Sequence, residues 1–448
     1  MHSTVLPRVC KAAAEALTRE GSTSMNEPAV IFDCIEWLFK ANGFNDHELH
    51  CVLRFGSGLD MDLLRRAVLA SIEVHPILGS RWVSQNQPHW ARMETADLSR
   101  AFVPVRSEAE LYARFHSPED ETLGPQLRVY ALPAASCTVA IKINHMVCDA
   151  ADFKSYLYQL SALYNKLGQE PGYRPSVRAG DRSLRRMLSR FSLRTKLRSL
   201  LKQGRQNNHF LQTHVPMEDG GAKRPILLTH TLDREQTLAA KQRGRERGAT
   251  LNDVLLAVMY RGLFRQLEMS AGDELQIPVM VDMRRYLDGA ASSATLTNLS
   301  SMVSTQIAYR PEESFEETLD RVKAIMDARK EGNLGLNGFL KLMLTFRLLG
   351  TRSAIRALRT RLKNPYICMT NIGILDAARM AFGNEPPQAV LLFGAMKYRP
   401  YFQLAVSTYR GAMTLSVNLW GSDADESRLR KILDAIAGEM HQLGPRIE

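Results

Sequence analysis

From Cys137 to Asn144 the apolar residues Cys137, Val139, Ile141 and Ile143 alternate with Thr138, Ala140, Lys142 and Asn144. A period of two predicts a strand. Beyond Asp152 the period lengthens, with Phe153, Leu157, Leu160, Tyr164 and Leu167 at helical spacing. That pattern predicts an amphipathic helix packed back on the sheet. The intervening loop, NHMVCDA, is therefore held at both ends. Upstream, Leu49 to Phe55 alternates as a strand, and Met61 to Val74 carries Leu63, Leu64, Ala67, Val68 and Ile72 on one helical face. That helix is predicted to stop at His75-Pro76, because proline disfavours helical geometry in the residue before it. Arg128 to Leu132 forms a predicted hairpin with the 137–144 strand across Pro133 to Ser136.

Gly168, Pro171, Gly172 and Pro175 end a first half, and an arginine-rich, then polar, stretch runs to Lys223. The second half opens with a predicted strand from Ile226 to Leu232 and a helix ending near Gly248. Thr250-Leu-Asn-Asp253 and Ser314-Phe-Glu-Glu317 are capping boxes, whose side chains satisfy free amides at helix starts. They predict helices from Leu251 to Leu267 and from Phe315 to about Arg329. Ile277 to Met283 reads as an apolar strand ending in Arg284-Arg285. Phe402 to Tyr409 and Met413 to Leu419 form a predicted hairpin across Arg410-Gly411, followed by a closing helix from Glu426 to Leu443. The organisation expected is a disordered leader over 1–27, with Met25 as an alternative start, a first α/β domain over 28–175, a basic crossover over 176–225 and a second α/β domain over 226–448.

A length of 448 residues exceeds what one core usually serves, which agrees with two domains. With 45% hydrophobic and 23% charged residues, and no run near the roughly twenty apolar residues of a membrane span, the chain reads as soluble. The first residues lack the continuous apolar core of a secretion signal, and six scattered cysteines without a CxxC pair suit a reducing compartment. A cytoplasmic location is expected, with neither disulfides nor a zinc site. The net charge of +11 admits nucleic acid, an anionic membrane or an acidic partner. Nucleic acid is disfavoured because the chain has no zinc spacing and no aromatic-glycine RNA-binding signature. Cations concentrate between Arg182 and Arg205 and between Arg347 and Lys363, interleaved with Leu, Met, Phe and Ile. Both read as basic amphipathic helices. They fit a peripheral contact with the inner membrane face, the docking of an acidic carrier protein, or ordinary packing of surface helices.

Two histidines stand four residues before an aspartate: His116 before Asp120 and His145 before Asp149. Context separates them. HSPED contains Pro118, follows no predicted strand and reads as a turn with a solvated histidine. His145 ends a strand and precedes a helix, which can hold an imidazole rigidly enough for chemistry. The alternative for His145 is a buried ring satisfied by a backbone carbonyl. Cys148, inside the same loop, reads as a small buried filler, since no second histidine lies nearby in sequence to activate it.

These pieces come in a particular order: VHPILGSRW, NHMVCDA, TLNDVLLAVMYRGL, PVMVDMRR, TLTNLSSMVS and MTNIGIL. In that order, from about residue 28 onward, the chain resembles the HxxxD acyltransferase superfamily, which includes chloramphenicol acetyltransferase-like enzymes, condensation domains of peptide synthetases, and wax-ester and alcohol acyltransferases. The resemblance implies two similar α/β sandwich domains with a tunnel between them. His145 would be the general base for the acceptor, and Asp149 a structural anchor whose partner is Arg284. Asn298, Ser300, Thr370 and Asn371 would line the tunnel and donate to a developing oxyanion, or simply bridge loops and sheets. The reaction implied moves an acyl group from acyl-coenzyme A to a hydroxyl of a small molecule or lipid, with no metal and no bound cofactor. An acyl carrier protein as donor with an amine acceptor, and a non-catalytic docking relative, are the alternatives. Condensation domains carry a second histidine where Asn144 stands, a glycine where Ala150 stands, and arginines where Val74 and Gly79 stand. These departures lean towards a stand-alone enzyme.

Overall fold

The structure, a computed structural model, describes residues 26–85, 87–177, 180–202, 213–218, 220–287, 295–331 and 334–444. The leader expected over 1–27 lies almost wholly outside them, as does the end of the first basic stretch.

The first half supplies strands β1 (Asn26–Pro28), β2 (Glu48–Arg54), β3 (Ser80–Val83), β4 (His89–Arg92), β5 (Phe102–Pro104), β6 (Leu127–Leu132) and β7 (Thr138–Asn144). The second half supplies β8 (Arg224–Leu232), β9 (Glu274–Asp282), β10 (Ser300–Ala308), β11 (Ile367–Leu375), β12 (Ala389–Phe393), β13 (Lys397–Tyr398), β14 (Phe402–Tyr409) and β15 (Ala412–Gly421). One sheet has the order β12-β2-β7-β6-β5; a second runs β10-β9-β11-β14-β15-β13, with β8 also pairing β15; a small third sheet is β1-β4-β3.

The helices that matter to the site are α1 (Ile31–Ala41), α2 (Met61–Val74), α3 (Glu108–His116), α4 (Ala150–Gln169), α5 (Leu193–Lys202), α6 (Arg234–Glu246), α7 (Leu251–Gln266), α8 (Phe315–Lys330), α9 (Leu336–Arg361) and α10 (Asp423–His441). Helix α4 packs on α2 over one face of the first sheet, where Leu64, Val68, Ile141, Phe153 and Leu157 share a core. The second sheet has its own core under α7, α8 and α10, built from Leu256, Leu263, Val279, Leu319 and Ile432 among others. Both predicted capping boxes form: Thr250 and Ser314 accept from the backbone N–H groups of Asp253 and Glu317.

Two features modify the expected organisation. Strand β12 comes from the second half of the chain yet pairs antiparallel with β2, with Val390 opposite Leu53, so the second half lends a strand to the first sheet. Strand β7 is buried on both faces; even Lys142 is 2% exposed, because α3 and its Phe115 cover the side that carries the polar residues.

The two basic stretches also take a different form from two simple surface helices. Arg182–Arg205 holds a single turn at Arg185–Leu188 and then α5. Arg347–Lys363 falls mostly within the longer α9, which ends at Arg361 and breaks at Gly350 with φ 70° and ψ 160°. Arg182 itself is buried. Its guanidinium forks onto Asp33 at 2.8 and 3.1 Å and donates to the Leu296 carbonyl at 2.9 Å, tying the crossover to α1.

Candidate active site

Asp149 sits between β7 and α4 and caps that helix. Its Oδ1 accepts the backbone N–H groups of Ala151 and Asp152, each at 3.1 Å. Its Oδ2 accepts from Arg284 Nη1 at 2.7 Å, from the Leu299 N–H at 2.7 Å and from Ser300 Oγ at 3.3 Å. Burial alone would raise this carboxyl, but Arg284 and these donors hold it below the usual carboxylate range. Arg284 also reaches Asp152 at 2.8 Å and the Thr297 carbonyl at 2.9 Å. Asp152 is pushed up to about 7, by burial first, with Arg284 opposing and Asp149 adding to the rise. One arginine thus clamps two buried aspartates of the first half to the loop that enters β10 of the second.

The clamp fixes the loop that carries His145. Its backbone N–H donates to the His47 carbonyl at 2.7 Å, and its neighbour Asn144 accepts from the Met146 N–H at 2.9 Å and donates to Gln126 at 2.8 Å. The imidazole retains 22% of its exposure at the junction of the two halves. Nδ1 lies 3.2 Å from Asn298 Nδ2 of the second half and 4.0 Å from Glu36 Oε1 of α1. No described residue hydrogen-bonds Nε2. Cys148 is fully buried and its thiol is pushed well up by burial, then by Asp152 and Asp149, as fits a filler.

The other expected residues separate into two groups. Asn298 and Ser300 join the cluster of His145 and Asp149. Asn371 does not: its amide donates to Asn252 at the start of α7 at 2.6 Å, while its Oδ1 accepts from the Gly373 N–H at a bulge in β11. Thr370 faces Ala405 in the neighbouring strand.

The second HxxxD histidine overturns its expected setting. His116 ends α3 at 4% exposure, 4.3 Å from the Tyr112 ring, and burial followed by Lys142 lowers its basicity to about 4. It is buried because α3 lies on β7, a tertiary contact that the local sequence does not encode. Residues that the sequence did not single out include Glu36, His47 and Asp152. Each lies in an ordinary amphipathic or polar context, so only the fold assembles them.

Among the described residues, Asp46, Glu48 and His50 place potential metal-ligand atoms within 4.8 Å of one another. The Lys142 ammonium stands 3.1 Å from Glu48 and supplies the positive charge there. A cavity of about 510 Å³ runs along α4, walled in part by His75, Asp152, Tyr158, Gln159 and Arg379.

Comparison with known proteins gives the fold a setting. Residues 223–383 match the family described as phthiocerol/phthiodiolone dimycocerosyl transferase C-terminus. No curated protein matches the chain by sequence. The trichothecene 15-O-acetyltransferase of Fusarium sporotrichioides is similar in structure, with a TM-score of 0.73 at 13% identity, covering 95% of this chain and 96% of that one. Polyketide synthase associated protein 5 from Mycobacterium tuberculosis has a TM-score of 0.65 at 16% identity over 94% of this chain and 100% of its own. The first condensation domain of the CDA synthetase has a TM-score of 0.64 at 13% identity, over 93% of this chain and 97% of that domain. The chain thus has the two-lobed α/β fold shared by chloramphenicol acetyltransferase-like acyltransferases and condensation domains, and its residues 223–383 match a transferase C-terminal family, in keeping with the resemblance carried by its motifs.

Proposed function

We propose that the protein transfers an acyl group from a coenzyme A thioester to a hydroxyl acceptor. The observation that carries this reading is His145, held between the lobes by the Asp149–Arg284 clamp with Nε2 free. A neutral Nε2 takes the acceptor's proton as the oxygen attacks the thioester carbonyl; the tetrahedral intermediate collapses, the C–S bond breaks, and the imidazolium returns that proton to the departing thiolate. Asn298, at Nδ1 of the ring, and Ser300, whose Oγ donates to Asp149, orient the imidazole and its loop for this step. The thioester is already activated, so no metal and no bound cofactor enters the scheme.

A specific observation supports a location for this chemistry. Residues 182–217 and 332–375 contain no Asp or Glu. Helices α5 and α9, which lie in these spans and pack on each other, expose Leu193, Leu197, Leu344, Leu348 and Leu349. Phe339 of α9 packs on Phe32 of α1 at 4.8 Å, and α1 carries Glu36 beside His145. A basic face with protruding leucines suits an anionic bilayer, here the inner face of a membrane, and would bring lipid acceptors near the site. No helix among the described residues is long and apolar enough to cross a membrane. An acidic acyl carrier protein as donor is the second occupant that the same charge would attract.

Thiol release, measured with a panel of acyl-coenzyme A donors against simple alcohols and amines, tests the proposal. Release that depends on an alcohol is the expected result. Silence with every donor, carrier-bound ones included, would leave a docking relative of the fold.

A further inference from the structure

A general base at Nε2 requires the neutral ring to carry its proton on Nδ1, and the contacts of Nδ1 oppose that state. Asn298 Oδ1 accepts from the Ser300 N–H at 3.1 Å, and Nδ2 faces Glu36 Oε1 at 3.4 Å, which together orient the amide. Reversed, it would set its oxygen against a carboxylate. An N–H of Asn298 therefore points at Nδ1 from 3.2 Å. With Nδ1 accepting, the single proton of a neutral imidazole resides on Nε2, which then donates instead of accepting.

Glu36 is the group in reach that reverses this. It lies on α1 at 8% exposure, its Oε1 4.0 Å from Nδ1, and among the described residues no lysine or arginine pairs with it. A buried carboxylate without a cationic partner needs a proton donor. We propose that Glu36 is a positioning residue for His145: it accepts Nδ1–H, so that Nε2 gives up its proton to solvent while Nδ1 gains one. Closing from 4.0 Å to a hydrogen bond of about 2.8 Å asks for a shift of about 1 Å, within the freedom of a glutamate side chain. Asn298 then directs its N–H to the His145 carbonyl, 3.5 Å away. When Nε2 takes the acceptor's proton, the imidazolium forms beside the carboxylate and is stabilised by it.

This inference rests on the base role proposed for His145, and two measurements keep them apart. In protein labelled with ¹⁵N-histidine, the His145 signals are those lost in His145→Gln, and their shifts report which nitrogen is protonated. The parent should populate the Nδ1–H form and Glu36→Gln the Nε2–H form; identical shifts overturn the proposal even if no turnover is found. In turnover, Glu36→Gln should lower kcat at least tenfold with KM and Tm unchanged. The same change in a His145→Ala background should have no further effect. An equal loss in both backgrounds would mean that Glu36 acts elsewhere. A parent enzyme without turnover would count against the base reading alone.

Discussion

At the residue scale, the two aspartates beside Arg284 have opposite environments and opposite consequences. Asp149 is held below the ordinary carboxylate range, so its contribution is present above the unfolded value and is lost as pH falls through the folded one. Replacing it with alanine strands Arg284 among buried groups and should cost about 3–5 kcal/mol, read as a drop in denaturant midpoint. A variant as stable as the parent would mean that the clamp does not stabilise the fold. Asp152 titrates near 7 against about 4 in an unfolded chain, so the folded state binds the extra proton between those values. Stability should therefore decline as pH rises from about 4 to 7, and Asp152→Asn should flatten that slope by a few kcal/mol. Parallel curves of Tm against pH for parent and variant would contradict this. His145→Ala should lower turnover roughly a hundred- to ten-thousand-fold with Tm little changed. Activity within a few-fold of the parent would remove the base assignment.

At the element scale, the crossover is fastened, not merely draped over the surface. Arg182 joins α1 through Asp33, and Asp33 also accepts from the Trp90 indole at 2.8 Å and the Val30 N–H at 2.9 Å. Arg182→Ala removes the cation from a fully buried carboxylate and should cost about 3–5 kcal/mol. Changing the exposed Arg185 to Gln should leave Tm within about 1 °C, as a surface substitution does. Equal losses in the two variants would place Arg182 with the surface cations after all. Because α1 also carries Glu36, loosening this link should disturb the site as well as the fold.

At the scale of the whole molecule, the question is what the basic, leucine-bearing face of α5 and α9 meets. Sedimentation with anionic and neutral vesicles decides it. The parent should pellet with anionic vesicles at low salt and be released as salt rises, while Arg194, Arg198, Arg352 and Arg356 changed together to Gln should abolish the pelleting. Failure of the parent to pellet would discard the membrane and leave the proposed acyl transfer untouched.

Periodicity alone located β7, α2, the hairpin of β14 and β15, and both capping-box helices close to their observed bounds, because each rests on local spacing of apolar residues or on a cap three residues from its partner. The order of motifs was also enough to anticipate the fold, since that order reflects its strand-loop-helix plan. Local pattern could not reveal that β12 crosses to the first sheet, that His116 is buried under a strand it never neighbours in sequence, or that Arg182 leaves its basic run to meet Asp33 from 149 residues away. Nor did anything in α1 mark Glu36, which reads as one more polar residue of an amphipathic helix. Sequence spacing determines which side chains share a face, but the partners of a buried charge come from other elements, and only close packing of those elements decides them.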